Sequence, residues 1–311
     1  MTIMGIVRQH GVALITALLV VTLAAVAAVA MTSRQQVDIR RTQNVLEAEQ
    51  LRFYLYGIEA WAGKMLEQDR KDNATDHVGE DWATHLPPMP LDNGQLSGHI
   101  EDMQGRFNLN NLLIDDKVST EELARLRRLL HALELPLTLA DSVVDWIDDN
   151  LEPWPPHGAE DTTYLTQQPP YRAANRPLGD ISELRLIAGF DADNYRRLAP
   201  HVTALPSRTT ININTASVEM VMALADGISR SDAERFVTER EEGHHTSVES
   251  ALQHEALANY PISPSGLGVS SEHFVVMSDI SIGRLQQRFS SLLLRSDTGL
   301  VTVLTRNQLY L

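Results

Sequence analysis

The sequence contains no cysteine, which excludes cysteine-ligated zinc, iron–sulfur clusters, thiol catalysis and a disulfide framework. Aromatic residues are also few, at 5% of the 311 residues. The motifs G-x-S-x-G, G-x-G-x-x-G and H-E-x-x-H and the phosphate-binding P-loop are all missing, so nothing in the sequence points to an enzyme. Lysine and arginine total 26 against 41 aspartates and glutamates, and the resulting net charge of −15 argues against a nucleic-acid-binding protein.

Near the N-terminus, the chain runs from Val12 to Met31 for 20 residues without a charge, a proline or a glycine. A helix of that length spans about 30 Å, the hydrocarbon thickness of a bilayer. Three interpretations fit: a secretory signal cleaved after the Ala-Val-Ala at 28–30, an ordinary membrane anchor, or the start of a longer helix. No proline occurs before Pro87, and apolar residues recur at mostly three- and four-residue steps, so we expect one helix to continue to about 65–70. These residues are Val37, Leu46, Leu51, Leu55, Ile58, Trp61, Met65 and Leu66.

The rest of the chain changes its pattern twice. Turn-forming residues predict a loop over 71–98, and a rough alternation predicts one or two strands over 98–113. A capping residue at Ser119 or Thr120 begins a block of short helices that extends to about residue 257. Alternation then returns, and predicts strands over 273–282, 284–295 and 300–305. Strand-rich segments therefore bracket a helical block of about 150 residues.

Several motifs resemble a known family. A short leader that ends in Gly11, followed by an unbroken apolar stretch and an extended helix, resembles the start of type IV pilins and type II secretion pseudopilins. The segments Gln104–Asn110 (QGRFNLN), Asp145–Asp148 (DWID) and Ile211–Ala216 (ININTA) resemble the minor pseudopilin K (GspK) family of type II secretion, in the same order along the chain. Further matches are Gly158–Asp161, Tyr164, Pro170–Asn175 and Ser182–Arg185.

The resemblance implies how the N-terminus is processed. A prepilin peptidase would cleave between Gly11 and Val12 and methylate the new amine of Val12. Most pilin-like proteins have glutamate at the fifth mature position, where this chain has Thr16. The K component is the member that normally lacks this glutamate, so Thr16 agrees with the resemblance.

Pattern and resemblance together predict an α+β fold. A long N-terminal transmembrane and spine helix packs on an antiparallel pilin-like sheet, and a large all-α domain is inserted between strands. The expected divisions are a leader (1–11), a transmembrane helix (12–31), its periplasmic continuation (32–70), a sheet region (71–115 and 265–311) and an inserted α-domain with helix-hairpin-helix or SAM-like segments (116–264).

The family implies a structural role rather than catalysis. The protein would sit at the tip of a short pseudopilus and start or cap its assembly during the export of folded proteins. Expected partners are the I, J and H minor pseudopilins, the major pseudopilin, the prepilin peptidase, the inner-membrane assembly platform and the secreted substrates. The expected location is the inner membrane, with a single span and the C-terminal bulk in the periplasm. The positive-inside rule favours the opposite orientation, since Arg8 precedes the span whereas Arg34, Arg40 and Arg41 follow it.

An acidic segment offers candidate metal ligands. Six carboxylates fall within 17 residues, and oxygen ligands of this kind suit calcium. Pro153 stands where an EF-hand loop needs glycine, so that motif is excluded, and a solvated acidic loop is the alternative. The resemblance favours calcium, because the α-domains of the K family bind it. The candidate ligands are Asp145, Asp148, Asp149, Asn150, Glu152, Glu160 and Asp161.

A second segment suggests an alternative function. Residues 211–228 resemble the helix-hairpin-helix of competence-type, membrane-anchored DNA-binding proteins. Residues 211–258, however, hold three arginines, no lysine and nine acidic residues, a surface that would repel DNA. We therefore expect Asn214 or Thr215 to cap a helix, and we expect no nucleic-acid partner.

Overall fold

The structure is a computed structural model that describes residues 10–309, with side chains from Val12 onward. Residues 1–9 of the expected leader lie outside the described residues, and only the backbone of residues 10 and 11 is described. Of the two residues at the expected cleavage site, Gly11 is therefore described by its backbone alone, whereas Val12 is described in full. Helix α1 (His10–Asp72) is continuous for 63 residues and ends close to the predicted position. Its apolar start is exposed, and no side chain from Val12 to Leu46 is buried against the rest of the described chain.

Only the second half of α1 packs against the protein. Leu51, Leu55, Ile58, Ala62 and Leu66 are buried, at steps of three and four residues that keep them on one face. The predicted apolar stripe is therefore confirmed from Leu51 onward. Its earlier members, Val37 and Leu46, are exposed.

A five-stranded antiparallel sheet covers this face of α1. Its strands are β1 (Leu86–Leu91), β2 (Gly94–Asp102), β9 (His273–Ile282), β10 (Leu285–Arg295) and β11 (Val301–Leu309), in spatial order β1-β2-β9-β10-β11. Alternate residues of the central strands, such as Phe274, Val276 and Ile280 in β9, point to the helix and form one core with it. We call this unit the sheet lobe.

The three C-terminal strands follow the predicted pattern closely, because each alternates and is bounded by a turn. Gly283 and Gly299 take positive φ values of 57° and 85° at the two hairpin turns. The last strand continues to Leu309, four residues beyond its predicted end.

Strand β1 was missed, since Pro87, Pro88 and Pro90 suggested a loop. Proline cannot donate to a strand ladder, but β1 lies at the edge of the sheet, where one side of the backbone needs no partner. A register shift between Leu86 and Met89 accommodates two of the prolines.

The chain between β2 and β9 forms a separate helical lobe with its own apolar core. Its helices are α2 (Thr120–Ala132), α3 (Thr138–Ile147), α4 (Asp161–Tyr164), α5 (Ala192–Leu198), α6 (Val218–Met222), α7 (Arg230–Glu242) and α8 (Val248–Leu252). Short strands complete it: β3 (Phe107–Asn108), β4 (Leu113–Ile114), β5 (Lys117–Val118), β6 (Val202–Thr203), β7 (Ile211–Asn212) and β8 (Leu267–Gly268).

The helical lobe begins earlier than its expected first residue, 116. Phe107, Leu109 and Leu112, which the sequence pattern assigns to the sheet region, are buried in the helical core. Strand β3 pairs in parallel with β6 and not with the large sheet. The predicted strands over 98–113 are therefore shorter and belong to two lobes.

Candidate metal centre

Three of the seven predicted ligands converge in the helical lobe. Asp145 lies in the last turn of α3, Asp148 directly follows that helix, and Glu160 directly precedes α4. All three are buried, with exposed fractions of 0%, 5% and 2% respectively. The backbone N–H of Trp154 donates to Asp145 Oδ1 at 2.8 Å, but Asp145 Oδ2, Asp148 Oδ1 and both Glu160 oxygens are buried without a hydrogen-bond partner.

These carboxylates perturb one another. Burial, with the neighbouring charges of Asp145 and Asp148 in second place, raises the pKa of Glu160 to about 7. Burial and the charge of Asp145 raise the pKa of Asp148 to about 6, and burial also raises that of Asp145. Among the described residues, no lysine, arginine or histidine lies within 4.0 Å of these three groups, so no side chain neutralises them. Such a site favours either protons or a bound cation.

The other four candidates do not present free oxygens to the same point. Asn150 donates from Nδ2 to Asp148 Oδ2 at 2.9 Å, and its Oδ1 accepts the backbone N–H of Glu152 at 2.7 Å. Asp161 Oδ1 accepts the backbone N–H of Ala173. Asp149 and the Glu152 side chain are exposed. The donor set that fits a cation is therefore narrower than the acidic segment suggested.

Two residues that sequence reasoning did not select also shape this region. Asn175 donates to the carbonyl of Asn150 at 3.1 Å, and its own Oδ1 is buried without a partner. A Cβ on Gly158 would lie 2.1 Å from Asp145 Oδ2 and 2.3 Å from the backbone nitrogen of Trp154, so only glycine fits there. Both residues belong to segments that resembled the family, which was the available signal.

A second acidic group lies in the sheet lobe. Within the described chain, Asp69, Asp76 and Glu80 are the one set of three potential ligands whose oxygens all approach within 4.8 Å. Asp145, Asp148 and Glu160 do not meet this limit. The limit does not exclude calcium there, because oxygens on opposite sides of a calcium ion are about 5 Å apart for Ca–O distances of about 2.3–2.6 Å.

The oxygens of this second group are already occupied. Arg295 Nη1 donates to Asp69 Oδ2 and Nη2 to Asp76 Oδ2, each at 2.6 Å. Glu80 accepts hydrogen bonds from Asn73, from the backbone of His77 and from the indole of Trp82. A resident guanidinium thus supplies the positive charge, and the cluster is a buried ion-pair network. The unpartnered oxygens of Asp145, Asp148 and Glu160 make that site the better metal candidate.

The segment that resembled a helix-hairpin-helix has a structural task, and our capping prediction for it was wrong. Ser217, not Asn214 or Thr215, caps α6 by accepting the N–H of Met220 at 3.2 Å. Asn214 instead bonds the backbone of His245 in both directions, and Thr215 donates to Asp102 Oδ2 at 2.6 Å. These contacts tie the segment to the turn that follows α7 and to the end of β2.

The N-terminal helix has the character of a membrane span. In the described part of the chain, α1 is the one helix long and apolar enough to cross a bilayer, with a mean hydropathy of 2.8 in its apolar window and none of that window buried. Within it, Thr16 Oγ1 donates to the carbonyls of Val12 and Ala13, at 3.1 and 3.0 Å. The hydroxyl is therefore satisfied by its own helix.

Comparison with known proteins gives a consistent result. Two family models described as "Type II secretion system (T2SS), protein K" match residues 105–207 and 211–270. The type II secretion system protein K of Pseudomonas aeruginosa is 38% identical over 310 residues, covering 96% of this chain and 92% of that protein. The corresponding protein of Aeromonas hydrophila is 33% identical and covers 96% and 97%.

The fold agrees with a solved structure. The crystal structure of the GspK-GspI-GspJ complex from enterotoxigenic Escherichia coli contains a chain that matches with a TM-score of 0.78 and 30% identity, over 87% of this chain and 99% of that one. The two chains thus share the same α+β fold over the matched residues. This chain therefore belongs to the type II secretion system protein K family, whose members are structural pseudopilins rather than enzymes.

Proposed function

We propose that this minor pseudopilin sits at the tip of the type II secretion pseudopilus and starts or caps its assembly with the I and J minor pseudopilins. The observation that carries the proposal is the exposure of α1. Its sheet-facing side is buried from Leu51 onward, yet other apolar residues of the same helix remain in solvent. The solved relative is itself a complex with GspI and GspJ, which supports partners of this class.

The exposed apolar residues form a stripe of their own. Ile39, Leu46 and Phe53 are spaced by seven residues, and Tyr56 follows one turn later. Such spacing keeps side chains on one side of a helix and is typical of contacts with another helix. Phe53 is 78% exposed, which is costly for so large an apolar side chain unless a partner covers it. We call Ile39, Leu46, Phe53 and Tyr56 the assembly stripe.

A substitution in this stripe tests the proposal. Phe53→Ser should leave the melting temperature of the isolated chain unchanged, because the side chain contacts little of its own protein. It should weaken co-purification with the I and J components at least tenfold. Asn44→Ser is the matched control, since Asn44 is exposed nine residues earlier, on the opposite side of the helix. Equal retention of the partners by both variants would rule out the stripe as the assembly surface.

The proposal includes processing and orientation. Cleavage between Gly11 and Val12 would place a methylated amine directly before an unbroken apolar helix, with the two lobes in the periplasm and the helix in the inner membrane. The prepilin peptidase, the assembly platform, the H component and the major pseudopilin are the further expected partners. Intact-mass measurement of the membrane-resident chain tests this, and a mature chain that begins at Met31 would instead identify a secretory signal.

The proposal also assigns calcium to the helical lobe. Asp145, Asp148 and Glu160 would hold the ion. Asn175, whose Nδ2 donates to the carbonyl of Asn150, offers a buried Oδ1 without a partner as a neutral oxygen in the neighbouring loop. The buried, unneutralised carboxylates support this assignment, since a divalent cation would remove their mutual repulsion. Its role would be structural, because it would join the end of α3 to the start of α4. The alternative of a DNA-binding protein receives no support from the acidic surface or from the family.

A further inference from the structure

The two edges of the large sheet differ sharply. Strand β1, at one edge, has three prolines in six residues, which leave few backbone N–H groups to pair with another strand. Strand β11, at the other edge, is nine residues long and contains neither proline nor lysine. Natural proteins protect exposed edges with such residues, because a regular open edge pairs with other chains. Only β1 carries prolines. The one irregularity of β11 is a register shift against β10 that leaves Leu304 without a Cα partner, and the stretches 301–303 and 305–309 on either side of it pair regularly.

The single charge of β11 does not protect its edge. Arg306 turns toward α1, where Nε donates to Glu59 Oε1 at 2.8 Å and Nη2 to Glu59 Oε2 at 2.9 Å. Its guanidinium also lies over the ring of Tyr56, 5.3 Å from the centroid. Glu59 is buried and receives a further hydrogen bond from Ser291. Arg306 therefore anchors β11 to the helix and leaves the outer backbone edge uncharged.

The open edge adjoins the assembly stripe. A cleft of about 530 Å³ lies beside the contact between α1 and β11. It is lined by Tyr56, Ala60 and Gly63 of the helix, by Val301 and Val303 of the strand, and by the charged side chains of Lys64 and Glu67. Tyr56 is also the last member of the stripe. A subunit whose helix packs along the stripe is thereby brought to the edge of β11.

We propose that β11 pairs, backbone to backbone, with an edge strand of the neighbouring minor pseudopilin, so that the sheet continues from one subunit into the next. This inference rests on the proposed function, because the partner strand belongs to one of the minor pseudopilins that the proposed function names. Strand addition supplies affinity through main-chain hydrogen bonds and specificity through alternate side chains. On β11, Val301 and Val303 lie on the helix-facing side, paired with buried Arg295 and Leu293, whereas Thr302 and Thr305 pair with residues of the opposite side. The added strand should therefore be apolar toward the cleft and polar on its other face.

Amide hydrogen exchange tests the pairing. The full-length chain in detergent is compared alone and with the I and J components, at single-residue resolution. In the complex, alternate amides of Val301–Leu309, those not bonded to β10, should exchange at least tenfold more slowly, while β1 is unchanged. Because the chain has no cysteine, single cysteines at Thr302 and Thr305 can carry a photo-crosslinker, with Met89 in β1 as the control position. Crosslinks to a partner strand from the first two positions, but not from Met89, are expected.

Each contrary result has a distinct meaning. A complex that forms while β11 exchanges as fast as in the free chain overturns strand pairing and leaves the proposed function intact. Protection of β11 in the chain alone, with crosslinks between copies, overturns the choice of partner. Failure of the three proteins to associate overturns both proposals.

Discussion

Three carboxylates of the helical lobe, Asp145, Asp148 and Glu160, are buried without a neutralising side chain from the described part of the chain, so their negative charges destabilise the folded state. A calcium-free chain can relieve their repulsion only by taking up protons, which is why burial and mutual repulsion raise the pKa of Glu160 to about 7 and that of Asp148 to about 6. The proposed ion performs the same neutralisation at higher pH. Protons and calcium should therefore compete for the site, so calcium should bind more weakly as the pH falls.

Removing the charge of Glu160 separates the repulsion among the carboxylates from the binding of calcium. In chelator at pH 8, Glu160→Gln should melt at a higher temperature than the unsubstituted chain, because the remaining carboxylates repel each other less. In calcium it should lose most of the stabilisation, which for a ligand at one hundred times its Kd is about 2.7 kcal/mol. Glu152→Gln, at an exposed position, should behave as the parent does. Thermal unfolding in calcium and in chelator measures both, and an undiminished calcium response of Glu160→Gln would exclude the site.

The pH dependence follows from the same shifts. In chelator, the folded state holds protons on Glu160 up to about pH 7, whereas the unfolded chain loses them near its ordinary pKa of 4.5. Stability should therefore be greatest below pH 4.5 for this group and fall as the pH rises to about 7. The gain from calcium should grow over the same range, because protons and calcium compete. Melting curves at pH 5 and pH 8 check this, and a calcium effect that is larger at pH 5 would contradict it.

Gly158 gives a steric test of the site. Gly158→Ala would place a methyl group 2.1 Å from Asp145 Oδ2, so the loop from Trp154 must move and the carboxylate with it. We expect a loss of about 1–3 kcal/mol in the free energy of unfolding and a weaker calcium response. Gly243→Ala is the control, since a Cβ there would meet nothing within 4 Å. Equal effects of the two substitutions on calcium binding would contradict the assignment.

Residue types alone could not define the ligand set. Composition identified the acidic segment, but adjacent residues diverge where α3 ends: Asp148 is buried while Asp149 is exposed. The backbone of Asp148 turns to an extended conformation with ψ of 165°, and no local pattern predicts that turn. Asn175 approaches from a distant loop, through the carbonyl of Asn150. Long-range placement of this kind is the part of a site that sequence periodicity does not contain.

At the scale of secondary-structure elements, Arg295 joins three parts of the sheet lobe. It donates to the carbonyl of Leu66 near the end of α1, to Asp69 and Asp76, and to the carbonyl of Ser271 before β9. The guanidinium is 2% exposed, so its removal would leave buried carboxylates without a cation. The end of the spine helix therefore depends on one side chain of β10.

Arg295→Met should cost about 3–5 kcal/mol in the free energy of unfolding, the range for breaking a buried ion pair from one side. Arg288→Met is the matched control on the same strand. Arg288 pairs with Asp279 at 2.8 Å, but its side chain is 44% exposed, so about 0–1 kcal/mol is expected. Urea unfolding monitored through the tryptophans measures both. A similar cost for the two substitutions would mean that the network contributes no more than a surface pair.

Helices and strands with regular apolar spacing along the sequence could be predicted. Elements whose position depends on segments far along the chain could not. Helix α1 and strands β9 and β10 have regular apolar spacing, and their bounds agree with expectation within a few residues. Strand β1 became visible only from its place at the sheet edge, where three prolines are compatible with pairing on one side. Phe107 and Leu109 alternate like strand residues, yet the core that buries them comes from helices far along the chain.

At the scale of the whole molecule, the two lobes are joined by polar contacts between distant segments. Asn212 of the helical lobe donates to Asp102 Oδ2 at the end of β2 and to Ser271 Oγ before β9, at 3.0 and 3.1 Å. Gln104 bonds the backbone of Thr210 with its amide and accepts the N–H of Glu272. The chain passes between the lobes after β2 and before β9, and these hydrogen bonds hold both crossing segments together. The insertion itself was predictable from the return of strand alternation, but the hydrogen bonds of Asn212 and Gln104 between the lobes were not.

The bulk of the helical lobe and the uncharged Thr16 both support the proposed tip position. A helical lobe of about 150 residues beside the sheet would collide with neighbours along a shaft, but not at an end. An unpaired carboxylate inside the membrane is costly, so a subunit with glutamate at the fifth mature position gains from a neighbour whose amine pairs with it. Thr16 carries no charge and bonds the carbonyls of Val12 and Ala13 on its own helix, so it needs no subunit above.

We therefore predict that gold label attached to this chain marks one end of each pseudopilus. The label can be placed on a single cysteine at Leu151, an exposed position of the helical lobe in a chain that otherwise has no cysteine. The same label on the major pseudopilin is the control and should repeat along the shaft. Regular spacing of the label on this chain would refute the tip position, because a subunit incorporated repeatedly must have room for its helical lobe and a means of accepting a subunit above it.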